Sequence, residues 1–191
     1  FWTGSSTNTW TTSHQMECNS MPSGKVNIRF TTNHDESAWD ASPMSLFNGK
    51  NGALAASVVS IFSGGVPLLY TGQEVGKTGT TPFFSNSNIN WAANPDMLAT
   101  YQALNAFYFA NDCARKGSLS AYQISSDLVC WKKTYGAKDL LILVNVRNTT
   151  INFNLPPILT GSFENALSLQ TENISSAMSL GAYGNKILKM N

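Results

Sequence analysis

Residues 52–70 read GALAASVVSIFSGGVPLLY, and no other stretch restricts the fold as much. Gly52 to Gly64 is apolar on nearly every side at helical spacing, so it predicts a helix buried between layers rather than laid on a surface. Gly64 and Gly65 stand where a helix ends on a left-handed residue. VPLLY follows directly and is consistent with a short strand buried on both faces. Upstream, KVNIRFTT alternates Val26, Ile28 and Phe30 with Asn27 and Arg29, a period-2 strand signal that ends at Asn33-His34-Asp35. The following ESAWDASPMSLFNGKN reads as a loop. Downstream, PDMLATYQALNAFYFAND opens with Pro95 and Asp96 and continues with apolar residues at helical spacing. Strand, loop, helix, strand, loop, helix is the repeat of a parallel α/β sheet.

The flanks differ from this repeat. TWTTSHQMECNSM predicts one short helix before Pro22 and Gly24, in an otherwise polar opening. Beyond Arg115 to Gly117 the pattern becomes short strands separated by turn signals such as Ser-Ser-Asp and Tyr-Gly-Ala-Lys-Asp. Two units are expected, 1–114 of α/β type and 115–191 a small antiparallel β module.

Charged residues are 12% of the chain, against about 25% in an ordinary globular protein, and the net charge is +1. Such a surface offers no electrostatic footprint for nucleic acid and no basic face for anionic lipid. No apolar run approaches the ~20 residues of a membrane span. A surface rich in Ser, Thr and Asn suits a neutral ligand gripped by hydrogen bonds and apolar faces. Cys18, Cys113 and Cys130 are too few and too scattered for a disulfide framework or a metal site, and read as buried small hydrophobes. Asn148 and Asn173 begin glycosylation-type tripeptides of a kind common by chance.

In parallel α/β folds ligands bind at the C-terminal ends of the strands. Asn33, His34 and Asp35 stand there after the first strand, and Tyr70, Gln73 and Glu74 after the second. Trp39, Phe83, Phe84 and Trp91 lie in the two long loops. Asn33-His34-Asp35 by itself reads more readily as a capped polar turn than as a catalytic corner. One histidine beside acids, with no further His or Cys nearby, is a poor metal ligand set. His14 reads as solvated, Trp2, Trp10 and Trp131 as structural, and Trp39 and Trp91 as either stacking or packing residues.

FTTNHDESAW followed by GVPLLYTGQEVG resembles the α-amylase family of glycoside hydrolases in order and spacing. There the seventh strand of the barrel ends in Asn-His-Asp, and the eighth is followed by a Gly-Gln-Glu stretch. INWAANPDMLATYQALNAFY resembles the family's eighth-helix region, and the tail, closing in YGNKILKM, its C-terminal all-β domain. The fold this implies is α/β: the last two βα units of a TIM (β/α)8 barrel, then a small antiparallel β-sandwich. The resemblance implies that Asp35 is the transition-state-stabilising carboxylate and that His34 bonds a hydroxyl of the same glucose. Asn33 belongs to the same sugar-binding corner, chiefly as its support, and Trp39 is a further substrate contact. Glu74 would be structural.

The family's nucleophile and acid/base lie at the ends of its fourth and fifth strands, and no motif here matches them. The resemblance therefore implies the C-terminal part of a retaining enzyme acting on starch or maltooligosaccharides, inactive as an isolated chain. A non-catalytic α-amylase-like binding or accessory protein is the alternative. Calcium is common in the family, but its ligands belong mainly to the unmatched part, so no cofactor is expected in this chain. Two βα units cannot close a barrel, so an exposed edge and self-association are expected. Residence outside the cell or at its envelope is expected from the relatives and the sparse charge.

Overall fold

The computed structural model describes residues 2–190. Helix α1 (Thr7–Ser20) opens the chain, capped by Ser6, whose side chain accepts from the Asn8 amide. Strand β1 (Ile28–Arg29) follows, then two short helices, α2 (His34–Trp39) and α3 (Pro43–Leu46), and the long α4 (Lys50–Phe62). Strand β2 (Val66–Pro67) lies parallel to β1, with Ile28 opposite Val66 and Arg29 opposite Pro67. The segment expected as a loop thus contains α2 and α3, because Asn33 supplies a helix cap where strand alternation ends.

The helix expected from the apolar run forms as α4, whose Ala53, Ala55, Val58, Ile61 and Phe62 are buried. It ends through Gly64 and Gly65, both at positive φ. A Cβ on Gly65 would lie 2.3 Å from the Asn27 carbonyl oxygen, so only glycine lets β2 come alongside β1. β2 departs from expectation in its burial, since Val66 and Leu69 are exposed rather than covered on both faces. Val26, Ile28 and Phe30 are exposed with them. Double-sided burial of a parallel strand needs layers on both faces; α4 packs behind β2, and among the described residues nothing covers the front.

Helix α5 (Pro95–Ala110) buries Met97, Tyr101, Leu104 and Tyr108, one face of the helix. After α6 (Asp112–Lys116) the chain enters β3 (Ser118–Ala121), β4 (Leu128–Tyr135), β5 (Lys138–Asn145), β6 (Ile151–Asn154), β7 (Gly161–Asn165), β8 (Thr171–Ile174), β9 (Ala177–Leu180) and β10 (Asn185–Met190). Six of these form one antiparallel sheet in the order β3-β4-β5-β10-β7-β8, while β6 and β9 pair as a separate ribbon. The strands divide their side chains by the two-residue period. Val129, Trp131, Leu140, Ile142, Val144 and Ile187 face the helices in one core. Leu128, Cys130, Leu141, Leu143 and Leu188 face the β6–β9 ribbon in the other. The sheet and the helices α4, α5 and α6 therefore share a continuous core.

His14, expected to be solvated, is buried: its Nε2 lies 2.5 Å from the Ser63 carbonyl oxygen and its ring stacks on Trp10 at 5.0 Å. The cause is the docking of α1 on β3 and β4, which turns Thr7, Thr11 and His14 inward beside Trp131 and the end of α4. Burial holds the His14 pKa below the usual histidine value. Trp131 is fully buried, Trp2 stacks on Tyr183 at 5.9 Å, and the three cysteines are free thiols, two of them buried.

Candidate functional site

The site begins at Asn33, whose backbone is still extended. Its Oδ1 accepts from the Asp35 amide at 2.9 Å and the Glu36 amide at 3.0 Å. These bonds cap α2 and turn the chain sharply at the end of β1. His34 and Asp35 consequently stand side by side on the first turn, largely exposed, with Nε2 and Oδ1 3.5 Å apart. Asn33 thus acts on the backbone, while His34 and Asp35 present free edges to solvent.

A second segment is brought against this helix from far along the chain. The Thr81 amide donates to the Ser37 carbonyl at 2.7 Å, tying the 78–94 loop to α2. Phe83 then meets His34 edge-to-face at 6.0 Å and Trp39 at 5.7 Å. Trp39 therefore joins the same rim, 79% exposed. Trp91 is exposed as well.

Beneath the site lies a polar network that pattern reading missed. Ser57 donates to the Ala53 carbonyl at 2.9 Å, which commits its only proton. Tyr101 must then donate to Ser57 Oγ, 2.5 Å away. The Tyr101 oxygen in turn accepts from Gln73 Nε2 at 2.9 Å. The other Nε2 proton goes to Thr31 Oγ1 at 2.8 Å. One amide thus links the segment after β2 to the end of β1 and to helices α4 and α5. Burial pushes the Tyr101 pKa up, which keeps it a neutral donor. Ser57 and Tyr101 sit in otherwise apolar helical faces, and buried hydroxyls require partners; that was the available signal.

The carboxylates next to Asp35 do not oppose it. Glu36 shares α2 and Asp40 is its C-cap residue. Glu74 is turned inward, its Oε2 buried and without a hydrogen-bond partner among the described residues, and Thr32 Oγ1 is in the same state. The described residues contain no group of three His, Cys, Asp or Glu side chains able to hold a metal ion, and no helix among them is long and apolar enough to cross a membrane. The arrangement sets His34 and Asp35 beside aromatic rings, with Glu36 and Asp40 on the same short helix and its cap.

No protein-family model and no curated protein matches the chain. Solved structures do. A cyclic α-maltosyl-(1→6)-maltose hydrolase from Arthrobacter globiformis superposes with a TM-score of 0.77 at 18% identity, over 98% of this chain and 41% of its own. An α-amylase from Lactobacillus plantarum gives 0.77 at 18% identity, over 100% of this chain and 44% of its own. A maltogenic α-amylase from Thermotoga neapolitana gives 0.77 at 14% identity, over 97% and 46%. The chain spans less than half the length of these enzymes. Its fold, mixed α/β with a parallel strand pair and an antiparallel sheet, is the fold of a part of α-amylase-type glycoside hydrolases.

Proposed function

We propose that this chain is the C-terminal part of an α-amylase-type glycoside hydrolase that acts on α-glucans by a retaining mechanism. The observation that carries the reading is the pair His34–Asp35, displayed at the end of a parallel strand and 3.5 Å apart, in a fold shared with α-glucan-cleaving enzymes. One of those enzymes is described in complex with cyclic α-maltosyl-(1→6)-maltose. In this reading Asp35 accepts hydrogen bonds from the hydroxyls of the glucose at the cleavage point and stabilises positive charge developing on its ring. His34 bonds a neighbouring hydroxyl, Asn33 fixes the turn that aims both, and Trp39 packs on a sugar face.

Retention needs two further carboxyl groups about 5 Å apart across the glycosidic bond. Glu36 and Asp40 ride on the same helix and its cap as Asp35, so neither suits that role. The nucleophile and acid are assigned to the rest of a barrel, and the chain alone is expected to be inactive. Two features support such a neighbour: the exposed apolar front of β1 and β2, with Val26, Ile28 and Val66, and the unpartnered buried oxygens of Thr32 and Glu74. Without that neighbour the open face leads to self-association.

Calorimetric titration of the chain with maltotriose tests the sugar site. Saturable binding that Asp35→Asn weakens is expected. Absence of binding, or binding indifferent to both His34→Ala and Asp35→Asn, refutes it. Hydrolysis of maltooligosaccharides by the chain alone refutes the assignment of the missing carboxylates, and a monomer at all concentrations in sedimentation refutes the open-face argument.

A further inference from the structure

Helix α2 carries His34 and Asp35, yet little holds it in place. It has six residues, of which only Ser37 is buried, and among the described residues no other helix or strand packs extensively on it. A helix this short is not stable by itself in water, so its pose is set by ties from outside. One tie is the bond from the Thr81 amide to the Ser37 carbonyl, and the Phe83 contacts to His34 and Trp39 come from the same loop. Residues 82–86 of that loop are all exposed, so these contacts lead outward rather than into the core. The other tie enters just before the helix: Gln73 Nε2 donates to Thr31 Oγ1 at 2.8 Å, two residues ahead of the Asn33 cap. Gln73 is itself firmly held. It opens a short 3-10 turn bounded by Gly72 and Gly76, both left-handed. Asn94 Nδ2 donates to the Val75 carbonyl in that turn at 2.8 Å, and a Cβ on Gly76 would meet Asn94, Met97 and Met44 at 3.0–3.2 Å. Inward, Gln73 bonds Tyr101, which bonds Ser57, and both of these are 1% exposed. Gln73 is therefore a rigid arm from the α4–α5 core to the end of β1.

We propose that Gln73 is the positioning residue of the candidate corner: its bond to Thr31 fixes the end of β1 and, through it, the direction in which α2 presents His34 and Asp35. The hydrogen bonds of the Gln73 side chain go to Thr31, Tyr101, Ser57 and the Tyr70 amide, and none goes to His34 or Asp35. It therefore acts on where that pair stands and not on a ligand directly. The chemistry accounts for the residue type. An amide nitrogen carries two protons, enough to serve the Thr31 and Tyr101 hydroxyls at once, whereas a carboxylate has none to give and an aliphatic side chain has neither donor nor acceptor. Groups at a binding site keep their geometry only as well as the residues behind them hold it. The consequence for sugar affinity rests on the reading that this corner binds an α-glucan; the hold on α2 does not.

Thr31→Val removes the acceptor at the corner and leaves Gln73, Tyr101 and Ser57 in place, while Thr31→Ser keeps the hydroxyl. Amide hydrogen exchange of the isotope-labelled 191-residue chain is followed by NMR for wild type and both variants, and the same proteins are titrated with maltotriose. The Ser37 and Asp40 amides, which donate to the Asn33 and Glu36 carbonyls at 2.9 Å each, report α2. The amides of α4 report the core. Thr31→Val is expected to speed α2 exchange about fivefold, the worth of one buried hydrogen bond, with α4 exchange unchanged. It should weaken maltotriose binding by a similar factor of about five, and Thr31→Ser should match wild type in all three measurements. Unchanged α2 exchange in Thr31→Val overturns the proposal. So does a rise in α2 and α4 exchange together, which is what a general loss of stability would give. Faster α2 exchange with maltotriose affinity kept overturns the positioning role. If α2 exchange rises as expected but no form, wild type included, binds maltotriose, the hold of Gln73 on the helix stands and the sugar reading of the corner falls.

Discussion

Replacing Gln73 by Leu removes the amide that joins the two strand ends, and the cost follows from the proton accounting around it. Gln73 is 5% exposed, so its lost bonds are not replaced by water. Its two Nε2 protons serve Thr31 Oγ1 at 2.8 Å and Tyr101 Oη at 2.9 Å. The Tyr70 amide at 3.4 Å from Oε1 is a weaker third contact. Each good buried bond contributes about 1 kcal/mol net, and an orphaned partner adds about 1 kcal/mol or more. Leucine roughly conserves volume, so no large cavity term enters. Gln73→Leu should therefore destabilise the chain by about 2–3 kcal/mol. Tyr101→Phe should cost about 1–2 kcal/mol, since it removes the acceptor of a Gln73 proton and leaves Ser57 Oγ only the longer 3.3 Å bond from Gln73 Nε2. The double variant should cost less than the sum by about 1 kcal/mol, because the two remove one shared network. Urea unfolding followed by tryptophan fluorescence reads all four proteins. A Gln73→Leu cost below about 0.5 kcal/mol, or strictly additive single changes, would refute the shared network.

His34→Ala and Asp35→Asn, both on exposed side chains, should leave the unfolding midpoint within about 0.5 kcal/mol of wild type while weakening sugar binding; a large stability loss would mean that the pair is structural. Asn145 is fully buried and donates to the carbonyls of Thr149 and Gly181 at 2.7 Å each and of Leu180 at 3.2 Å, while accepting from the Arg147 amide at 2.8 Å. Asn145→Leu should cost about 2–4 kcal/mol in guanidinium unfolding, because it orphans several groups at once. Lys133 is fully buried beside the Ala114 carbonyl, and burial pulls its pKa down to about 8. Its unfolded value is near 10.4, so below pH ~8 both states are charged and the fold bears a cost of about 3 kcal/mol. Between pH ~8 and ~10.4 the unfolded chain holds more protons, and that cost is relieved as pH rises. The cysteines, pushed up by burial, act in the opposite sense above their unfolded value of about 8.5. The readable quantity is therefore the difference between Lys133→Met and wild type. The variant should be the more stable by about 1–2 kcal/mol at pH 7, after the lost bond to Ala114 is subtracted, with the advantage vanishing by pH ~10. A pH-independent difference would contradict a strained lysine.

Local order was legible in the sequence wherever neighbours along the chain decide it. The apolar run before Gly64 became α4 and Pro95 opened α5, because periodicity and proline chemistry act within a turn or two, whereas the strand expected to run up to Asn33-His34-Asp35 pairs only at Ile28–Arg29 and Asn33 caps a helix instead. The same motifs carried the resemblance to α-amylases, whose fold the chain shares. Tertiary structure alone decided what met across distance. It buried His14 against Ser63, aimed Gln73 at Tyr101, and brought Phe83 onto His34. It also left Val66 in the open, where an apolar strand had predicted cover on both faces. Burial of a residue depends on which layers pack over it, and that is a property of the assembled chain rather than of the residue's own stretch.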